Sequence, residues 1–480
     1  MRHASGKTLR RSIIFPRPSP HRDGTLPKWR KPRRKFWYFC RECRLDTLGD
    51  GPLSEVHEVA AAASPHRDAD RAGREQMGVN EREVVVIGGG PAGLMAAEAI
   101  ADAGHRVSVV ERMPSIGRKL MMAGRGGLNL THSEAGDRFL ARYGAAEAFL
   151  TPAIAAFTPG DLRDWARGLG EETFVGTSGR VFPCSFKASP LLRAWSRRLT
   201  ERGVTFRTRT RWTGFAPGGV TVVGPQGEER LAADAVVLAL GGASWPRLGS
   251  DGSWTAILSA EGVEIAPLRP TNCGFTVPWS DVFRSRFAGE PLKRIAIRFD
   301  DRVSIGEAVV TDDGLEGGAI YGLSAPLREA IAAGGPTEIR LDLKPSADAA
   351  EIAAALAKGR KGDSLANRLR KAVSLPPVAI GLLREGAGKA LPSEPDELAR
   401  LIKAVPIRVT AARPLDRAIS SAGGIALAEV GPDFQLKRLP GVFVCGEMMD
   451  WEAPTGGYLL QACFSTGRAA GRGVVRFLGR

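Results

Sequence analysis

The segment from Glu83 to Arg112 constrains the fold more than any other part of this chain. It opens with EVVVI, a run of Val and Ile that is typical of a fully buried parallel strand, and the run stops at consecutive glycines. Pro91 then begins a stretch rich in Ala, Leu and Met that favours a helix, and Gly104 is suited to end that helix. Residues 107–110 predict a second strand. The segment therefore predicts a β-α-β unit within an α/β fold that has a parallel sheet.

Three glycines connect the predicted strand to the predicted helix, at Gly88, Gly90 and Gly93. In the spacing G-x-G-x-x-G they serve a tight turn, a close approach of the backbone to a pyrophosphate, and close packing of the helix on the strand. The first helical turn, with Pro91 and Ala92, leaves N–H groups free to bind phosphate. Because a strand precedes the spacing and a helix follows it, we predict a dinucleotide-binding turn rather than an ordinary glycine-rich turn.

Glu111 ends the second predicted strand, where an acid accepts hydrogen bonds from ribose hydroxyls and disfavours the 2′-phosphate of NADP. The following segment, residues 114–134, contains several glycines, including Gly124, that suit a loop close to a ligand. Arg118 and Lys119 in this segment offer positive charge to anionic groups. The alternative is a flexible surface loop without a ligand. We favour ligand contact because the segment directly follows the predicted ribose acid.

The positive charge of the chain is concentrated near its start. The net charge is +15, and residues 1–76 contain 17 Lys and Arg against 9 Asp and Glu. This segment is rich in Arg and Pro and lacks useful periodicity, which predicts a disordered basic extension. An alternative is that residues 1–76 are a misassigned upstream extension, because Met77 lies just before the first strand. With so much of the charge outside the predicted fold, nucleic acid is disfavoured as a partner but stays open.

The composition also bears on compartment, membrane and metal. No apolar run reaches the ~18 residues that a membrane helix needs, so we expect no membrane partner. Six scattered cysteines predict a reducing compartment, and we expect the protein to be cytoplasmic. Cys40 and Cys43 form a C-x-x-C pair, but no second pair stands at metal spacing, so no metal site is predicted.

Several separated motifs together resemble a known family. They are GRKLMMAGRGGLNLTH over residues 117–132, GRVFPCSFKAS over 179–189, TDDGLEG over 311–317 and the C-terminal segment from 440. In this order they resemble the BaiN-like family of FAD-dependent oxidoreductases, and the resemblance extends from Glu81 to Gly473. One departure stands out: the wider family tends to have G-G-R-C-N-L-T-N where this chain has Gly127 and Leu128 in place of Arg-Cys, which indicates a sub-branch with its own substrate.

The resemblance implies a glutathione-reductase-type, Rossmann-like FAD-binding domain with an inserted domain. The FAD-binding domain would comprise residues 77–268 and 410–480. Residues 269–409 would form a β-rich and helical insertion on the substrate side. No second G-x-G-x-x-G occurs, so the chain has no separate nucleotide-binding domain for NAD(P)H.

The C-terminal segment is predicted to hold the flavin end of FAD. Its strand ends in Gly446 and Glu447, where an acid can bind ribityl hydroxyls. Gly456 and Gly457 would let a helix that begins at Tyr458 approach the flavin with its positive end. Asp450 is a second candidate for the acid that binds the ribityl hydroxyls. The chain returns to the cofactor domain near its C-terminal end. Such a return suits FAD, because its flavin extends far beyond the pyrophosphate that the glycine turn would bind.

The site implied by the resemblance combines both ends of the chain. The predicted cofactor-binding residues are Gly88, Gly90, Pro91, Ala92, Gly93, Glu111, Arg112, Arg118, Lys119, Gly124, Asn129, Gly241, Gly242, Gly424, Gly446, Glu447, Gly456, Gly457 and Tyr458. The chemistry would belong to the flavin, and the candidate catalytic residues are Asn129, Lys187 and His132. Only His105 and His132 lie outside the extension, which disfavours zinc or Ser-His-Asp chemistry.

The predicted activity is hydride transfer through flavin N5, from NAD(P)H as a transient donor to a small organic substrate with an activated C=C or C=N bond. Two enzymatic alternatives are an amine oxidase that produces hydrogen peroxide and a reductase of uridine in ribosomal RNA. A non-enzymatic alternative is an FAD-stabilised binding protein.

Overall fold

A five-stranded parallel sheet organises the described part of the chain. The computed structural model describes residues 81–359, 363–388 and 391–479; the predicted extension over 1–76 and the Cys40–Cys43 pair lie outside these ranges. The strands are β1 (Glu83–Ile87), β2 (Arg106–Glu111), β6 (Thr205–Thr208), β10 (Ala235–Leu238) and β20 (Val442–Val444). Their order in the sheet is β6-β2-β1-β10-β20, and all pairings are parallel. This is the strand order of doubly wound dinucleotide-binding folds, and the predicted Rossmann-type fold is confirmed.

Close backbone contacts explain why glycine occupies two positions of the turn after β1. Gly88 has a φ of +109°, and a Cβ at this position would lie 2.3 Å from the carbonyl oxygen of Ala239. A Cβ on Gly93 would lie 2.0 Å from the carbonyl oxygen of Gly88. The turn and the following helix therefore pack on the sheet at distances that no larger residue permits.

Fifteen α-helices lie within the described ranges. They are α1 (Pro91–Asp102), α2 (Arg118–Ala123), α3 (Gly136–Leu140), α4 (Glu147–Ala156), α5 (Pro159–Arg167), α6 (Ala188–Glu201), α7 (Trp254–Ala260), α8 (Asp281–Phe287), α9 (Gly318–Tyr321), α10 (Ser324–Gly334), α11 (Ala349–Ala357), α12 (Leu365–Ala372), α13 (Pro377–Ala387), α14 (Pro395–Lys403) and α15 (Tyr458–Leu478). None of these described helices is both long enough and apolar enough to cross a membrane.

The last helix, α15, packs closely against α1. A Cβ on Gly467 would lie 2.2 Å from the carbonyl oxygen of Ala92, and one on Gly471 would lie 2.7 Å from that of Ala96. These contacts hold the C-terminal helix against the helix that follows the glycine turn. The two ends of the described chain therefore meet at the parallel sheet.

Four antiparallel sheets complete the structure. One seven-stranded sheet has the order β17-β16-β13-β14-β15-β12-β18, and smaller sheets have the orders β3-β5-β4, β7-β8-β9 and β11-β19. The strands are β3 (Thr131–His132), β4 (Thr173–Val175), β5 (Arg180–Pro183), β7 (Arg211–Ala216), β8 (Gly219–Gly224), β9 (Gly227–Ala232), β11 (Ile265–Thr271), β12 (Phe275–Thr276), β13 (Pro291–Phe299), β14 (Arg302–Thr311), β15 (Gly314–Glu316), β16 (Thr337–Asp342), β17 (Val405–Val409), β18 (Ala411–Ala412) and β19 (Ser420–Ile425).

The buried apolar residues form two clusters. One contains residues from the stretches 84–263 and 425–474, and the other contains residues from 273–418. The second cluster lies beneath the seven-stranded sheet and its helices, so the predicted β-rich and helical insertion is confirmed as a feature of the fold. The exact domain boundaries at 268 and 410 stay a prediction.

Residues 418–424 match an A-G-G loop of the family that the chain resembles, but the loop that this predicts is not observed. β19 covers most of these residues and pairs with β11. The glycines at 423 and 424 sit opposite a bulge between Ala266 and Arg269, where the register of the two strands shifts. Glycine is suited to such a place because φ is positive at both positions.

Candidate functional site

A cleft lies at the carboxyl ends of the parallel strands, where ligands bind in folds of this type. It encloses about 1000 Å³, part of it open to solvent. The predicted residues that line it are Gly88, Gly90, Pro91, Ala92, Glu111, Arg112, Arg118, Lys119, Gly241, Gly446 and Glu447. Residues from the early β-α-β unit and from the segment after β20 therefore meet in one cleft.

Gly90 faces the open part of this cleft. Its φ of −87° is accessible to any residue, and a Cβ added there would meet no protein atom within 4 Å. No protein contact requires glycine at this position, in contrast to Gly88 and Gly93. A ligand that approaches the backbone closely would require it, as the pyrophosphate of a dinucleotide does.

Glu111 is held at the end of β2 by two backbone donors. The N–H of Gly89 donates to Oε2 at 3.0 Å, and the N–H of Met113 donates to Oε1 at 2.8 Å. Burial raises the pKa of the Glu111 carboxyl, although the two hydrogen bonds oppose this effect. A carboxylate has about four acceptor positions, so Glu111 retains two for ligand hydroxyls.

Lys119 and Glu447 join the two halves of the cleft. Lys119 Nζ donates to Glu447 Oε2 at 2.8 Å and to Ser244 Oγ at 2.6 Å. The other oxygen of Glu447 accepts the N–H of Ser421 at 2.8 Å. The carboxylate is thus fixed in place, with acceptor positions left on both oxygens.

Gly242 and Gly424 support this arrangement without lining the cleft. A Cβ on Gly242 would lie 2.2 Å from Ser421 Oγ, and one on Gly424 would lie 2.4 Å from the carbonyl oxygen of Met448. Both glycines therefore allow β19 to pack closely beside the turn that carries Glu447.

Sequence reasoning missed the outer wall of the cleft. Trp212, Ser250 and Trp254 line it, as does Asp251, which forms an ion pair with Arg112. The side-chain atoms Trp212 Nε1, Ser250 Oγ and Arg118 Nε are buried and have no hydrogen-bond partner among the described residues. Buried polar groups normally have partners, so these atoms fit a cleft that takes a polar ligand. The glycine pair at 249 and 252 was the available signal, because it flanks Ser250 and Asp251.

Three of the five residues predicted for the flavin end lie next to the start of α15 and outside the lining of the cleft: Gly456, Gly457 and Tyr458. Gly457 has a φ of +101°, and a Cβ there would lie 2.5 Å from the backbone of Thr131. Asn129 Oδ1 is buried without a hydrogen-bond partner in the described chain. Gly124 packs on Ala188, where a Cβ would lie 2.7 Å from the Ala188 Cβ, and at Gly456 an added Cβ would meet the Tyr458 ring at 2.7 Å.

Tyr458 belongs to a polar cluster beside this region. Its hydroxyl donates to Glu134 Oε2 at 2.7 Å, and Arg142 donates to both oxygens of Glu134 at 2.9 and 2.6 Å. The Arg142 guanidinium lowers the pKa of Glu134 to about 2, and burial raises the pKa of the Tyr458 hydroxyl. Tyr458 is therefore a neutral hydrogen-bond donor at ordinary pH.

His132 and Lys187 are not brought to the cleft. The His132 ring stacks on Tyr458 at 5.2 Å, its Nδ1 accepts the N–H of Glu134, and its Nε2 lies 3.0 Å from the carbonyl oxygen of Ser178. It lines a second cavity with residues of α3 to α5. Lys187 is exposed at the start of α6. Across the described ranges, no group of three or more His, Cys, Asp or Glu side chains is arranged to hold a metal ion.

The fold and this cleft define a Rossmann-type, FAD-binding class of oxidoreductase. The chain belongs to the family described as "HI0933-like protein Rossmann domain", whose model matches residues 82–473. The resemblance to BaiN-like flavoproteins is thereby confirmed, and the chain is placed among flavin-dependent oxidoreductases.

Individual relatives are similar over most of their length. The 3-dehydro-bile acid delta(4,6)-reductase of Clostridium scindens is 27% identical over 81% of this chain and 97% of that protein. The ribosomal RNA dihydrouridine synthase of Escherichia coli is 24% identical over 82% of this chain and 98% of that protein. Among solved structures, the 3-ketosteroid delta1-dehydrogenase of Sterolibacterium denitrificans is 14% identical with a TM-score of 0.46, over 83% of this chain and 100% of that one.

Proposed function

We propose that this flavin-dependent oxidoreductase takes electrons from NAD(P)H and reduces a small organic substrate that has an activated C=C or C=N bond. The observation that carries the proposal is the single cleft in which the glycine turn and Glu111 meet Lys119 and Glu447. Such a cleft suits a long cofactor that is held from both ends of the chain.

The residues at one end of the cleft would hold the adenosine diphosphate half of FAD. The free N–H groups at the start of α1, next to Gly90, would bind the pyrophosphate. Glu111 would accept hydrogen bonds from the ribose. The open space beside Gly90 supports this assignment because no protein atom occupies it.

The residues at the other end would hold the flavin half. Glu447, oriented by Lys119, would accept hydrogen bonds from the ribityl chain. No side chain caps the N-terminus of α15, and no acidic residue lies in its first turn, so its N–H groups and partial positive charge remain available. When bound, FAD supplies the hydride transfer itself. The chain's own residues bind the cofactor and orient it.

The direction of the reaction is proposed from the relatives. The similar protein of Clostridium scindens is a reductase that acts on 3-dehydro-bile acids. A reductive role for this chain requires an external hydride donor, and NAD(P)H is the donor we propose. It would bind transiently, since the sequence contains one dinucleotide-binding turn.

An anaerobic stopped-flow experiment tests this proposal. The flavin absorbance of the holoprotein is followed after NADH or NADPH is added in turn. We expect one of the two to bleach the flavin band rapidly, with slow reoxidation by oxygen. Bleaching by an amine, followed by rapid formation of peroxide, would instead identify an oxidase. If no donor bleaches the flavin, the binding-protein alternative is favoured.

Reduction of uridine in ribosomal RNA is a second candidate, because the similar Escherichia coli protein is a ribosomal RNA dihydrouridine synthase. It predicts that the protein binds ribosomal RNA with an affinity that falls steeply with salt. The binding should persist when residues 1–76, which hold much of the excess charge, are removed. Absence of salt-dependent binding in the truncated protein would reject this candidate.

A further inference from the structure

The segment Gly249–Ser253 crosses the cleft wall between the ends of β2 and β10. Both of its glycines have positive φ, +106° at Gly249 and +70° at Gly252. A Cβ on Gly249 would lie 3.6 Å from Glu111 Oε1, and Ser250 Oγ lies 3.2 Å from the Cβ position of Gly241. The segment therefore passes directly over the two strand ends that border the glycine turn.

Four polar interactions within and beside this segment fix it in place. Asp251 forms an ion pair with Arg112, the residue after Glu111. Asp251 Oδ1 also accepts hydrogen bonds from the N–H and the hydroxyl of Ser253, at 3.1 and 2.8 Å. Beside the segment, Trp254 Nε1 donates to the carbonyl oxygen of Gly241 at 2.9 Å. The segment is thus tied to both strand ends.

Ser250 has the one side chain of this segment, glycines aside, that none of these interactions uses. The residue is 7% exposed, and its hydroxyl has no hydrogen-bond partner among the described residues. A buried hydroxyl without a partner is unfavourable, so such groups are rarely left unpaired. Trp212 Nε1, also in the lining of the cleft, is buried and unpartnered in the same way.

We propose that Gly249–Ser253 is a clamp for the adenosine diphosphate half of the cofactor, in which the Ser250 hydroxyl forms a hydrogen bond to a ribose or pyrophosphate oxygen. The Arg112–Asp251 pair is a positioning device that holds the clamp over Glu111. This inference rests on the assignment of FAD to the cleft. It adds a binding residue on the side opposite the glycine turn.

Titration of the deflavinated protein tests the clamp, with FAD and with ADP as separate probes. Trp212 and Trp254 line the cleft, so intrinsic tryptophan fluorescence reports the binding of both probes. We expect Ser250→Ala to weaken the binding of FAD and of ADP by a similar factor, about five- to tenfold. This is the loss expected for one hydrogen bond. Asp251→Asn should weaken the binding of both probes as well. Ser259→Ala, an exposed serine of α7 outside the cleft, should leave both affinities unchanged.

Three outcomes would contradict the clamp. If Ser250→Ala weakens FAD but leaves ADP unchanged, its contact is with the flavin half. If it changes neither affinity while the melting temperature of the ligand-free variant equals that of the parent protein, Ser250 contacts no cofactor. If the parent protein does not bind FAD, the cleft is not an FAD site. Failure of NAD(P)H to bleach a bound flavin would overturn the proposed function and leave the clamp standing.

Discussion

Lys119 Nζ lies 2.8 Å from Glu447 Oε2, although 328 residues separate the two in the sequence. Lys119 lies in α2, after β2 and Glu111, whereas Glu447 follows β20, the strand at the far edge of the parallel sheet. Their side chains are 29% and 12% exposed, so the pair is shielded from solvent. This contact brings the early and late segments of the chain into one cleft.

Loss of Lys119 should weaken both stability and cofactor binding. In Lys119→Ala the carboxylate of Glu447 loses its cation in a partly buried position, and we expect the free energy of unfolding to fall by about 1 to 2 kcal/mol after allowance for solvent. FAD affinity should fall as well, because Glu447 is no longer oriented. Urea unfolding and FAD titration measure the two effects. Lys371→Ala, which breaks an exposed pair with Asp363, should change neither.

Two glycines of the G-x-G-x-x-G spacing should respond differently to substitution by alanine. Gly90→Ala should fold with a stability within about 0.5 kcal/mol of the parent, because its Cβ enters open space, yet it should bind FAD at least tenfold more weakly. Gly93→Ala should lose more than about 2 kcal/mol of stability, because its Cβ would lie 2.0 Å from a carbonyl oxygen. Thermal unfolding without ligand and FAD titration separate the two cases. Equal FAD affinity in Gly90→Ala and the parent would place the pyrophosphate elsewhere.

FAD affinity should rise with pH through the raised pKa of Glu111. Burial holds the pKa of this carboxyl above its ordinary value, and ribose hydroxyls donate to the ionised form. Acidification therefore protonates Glu111 and weakens FAD binding. The sign for the ligand-free protein is the opposite: a raised pKa in the folded state contributes stability at low pH that is lost as pH rises through it. FAD titrations across the mildly acidic range should show this dependence, and Glu111→Gln should lack it.

The buried pair between Arg328 and Glu452 should be important for holding helix α10 to the loop before α15. Two nitrogens of Arg328 donate to the two oxygens of Glu452 at 2.8 and 3.1 Å, and Thr271 donates to the same carboxylate at 2.6 Å. Burial alone would raise the pKa of Glu452, but the donors from Arg328 and Thr271 outweigh it and lower the pKa.

Removal of one partner tests this link. Glu452→Ala leaves the Arg328 guanidinium, 6% exposed, with Glu329 as its remaining counter-charge, and the expected loss is about 2 kcal/mol of unfolding free energy. Glu338→Ala, which breaks an exposed pair with Arg340, should lose less than about 0.5 kcal/mol. Similar losses in the two variants, measured by urea unfolding, would show that the buried pair has no special role.

The local pattern of the sequence was sufficient to predict the first β-α-β unit. The Val and Ile run, the glycine spacing and the helix formers after Pro91 agree with one another, and each depends only on neighbouring residues. The strand before Glu447 was predicted for the same reason.

Features that depend on distant contacts were not predicted. The Lys119–Glu447 pair and the packing of α15 on α1 arise from tertiary structure, which a local pattern does not encode. The strand β19 was not predicted: its two glycines disfavour a strand, whereas pairing with β11 stabilises it. The wall formed by Ser250 and Trp212 was missed because neither residue belongs to a recognisable motif.

The central claim is that one cofactor is held from both ends of the chain, and titration of the deflavinated protein with FAD and with FMN tests it most directly. FMN has the flavin and ribityl groups but lacks the adenylate that the glycine turn and Glu111 would bind. We predict one FAD per chain and an affinity for FMN at least about a hundredfold lower, equivalent to about 2.7 kcal/mol. Equal affinities for FMN and FAD, or no binding of FAD, would contradict the account.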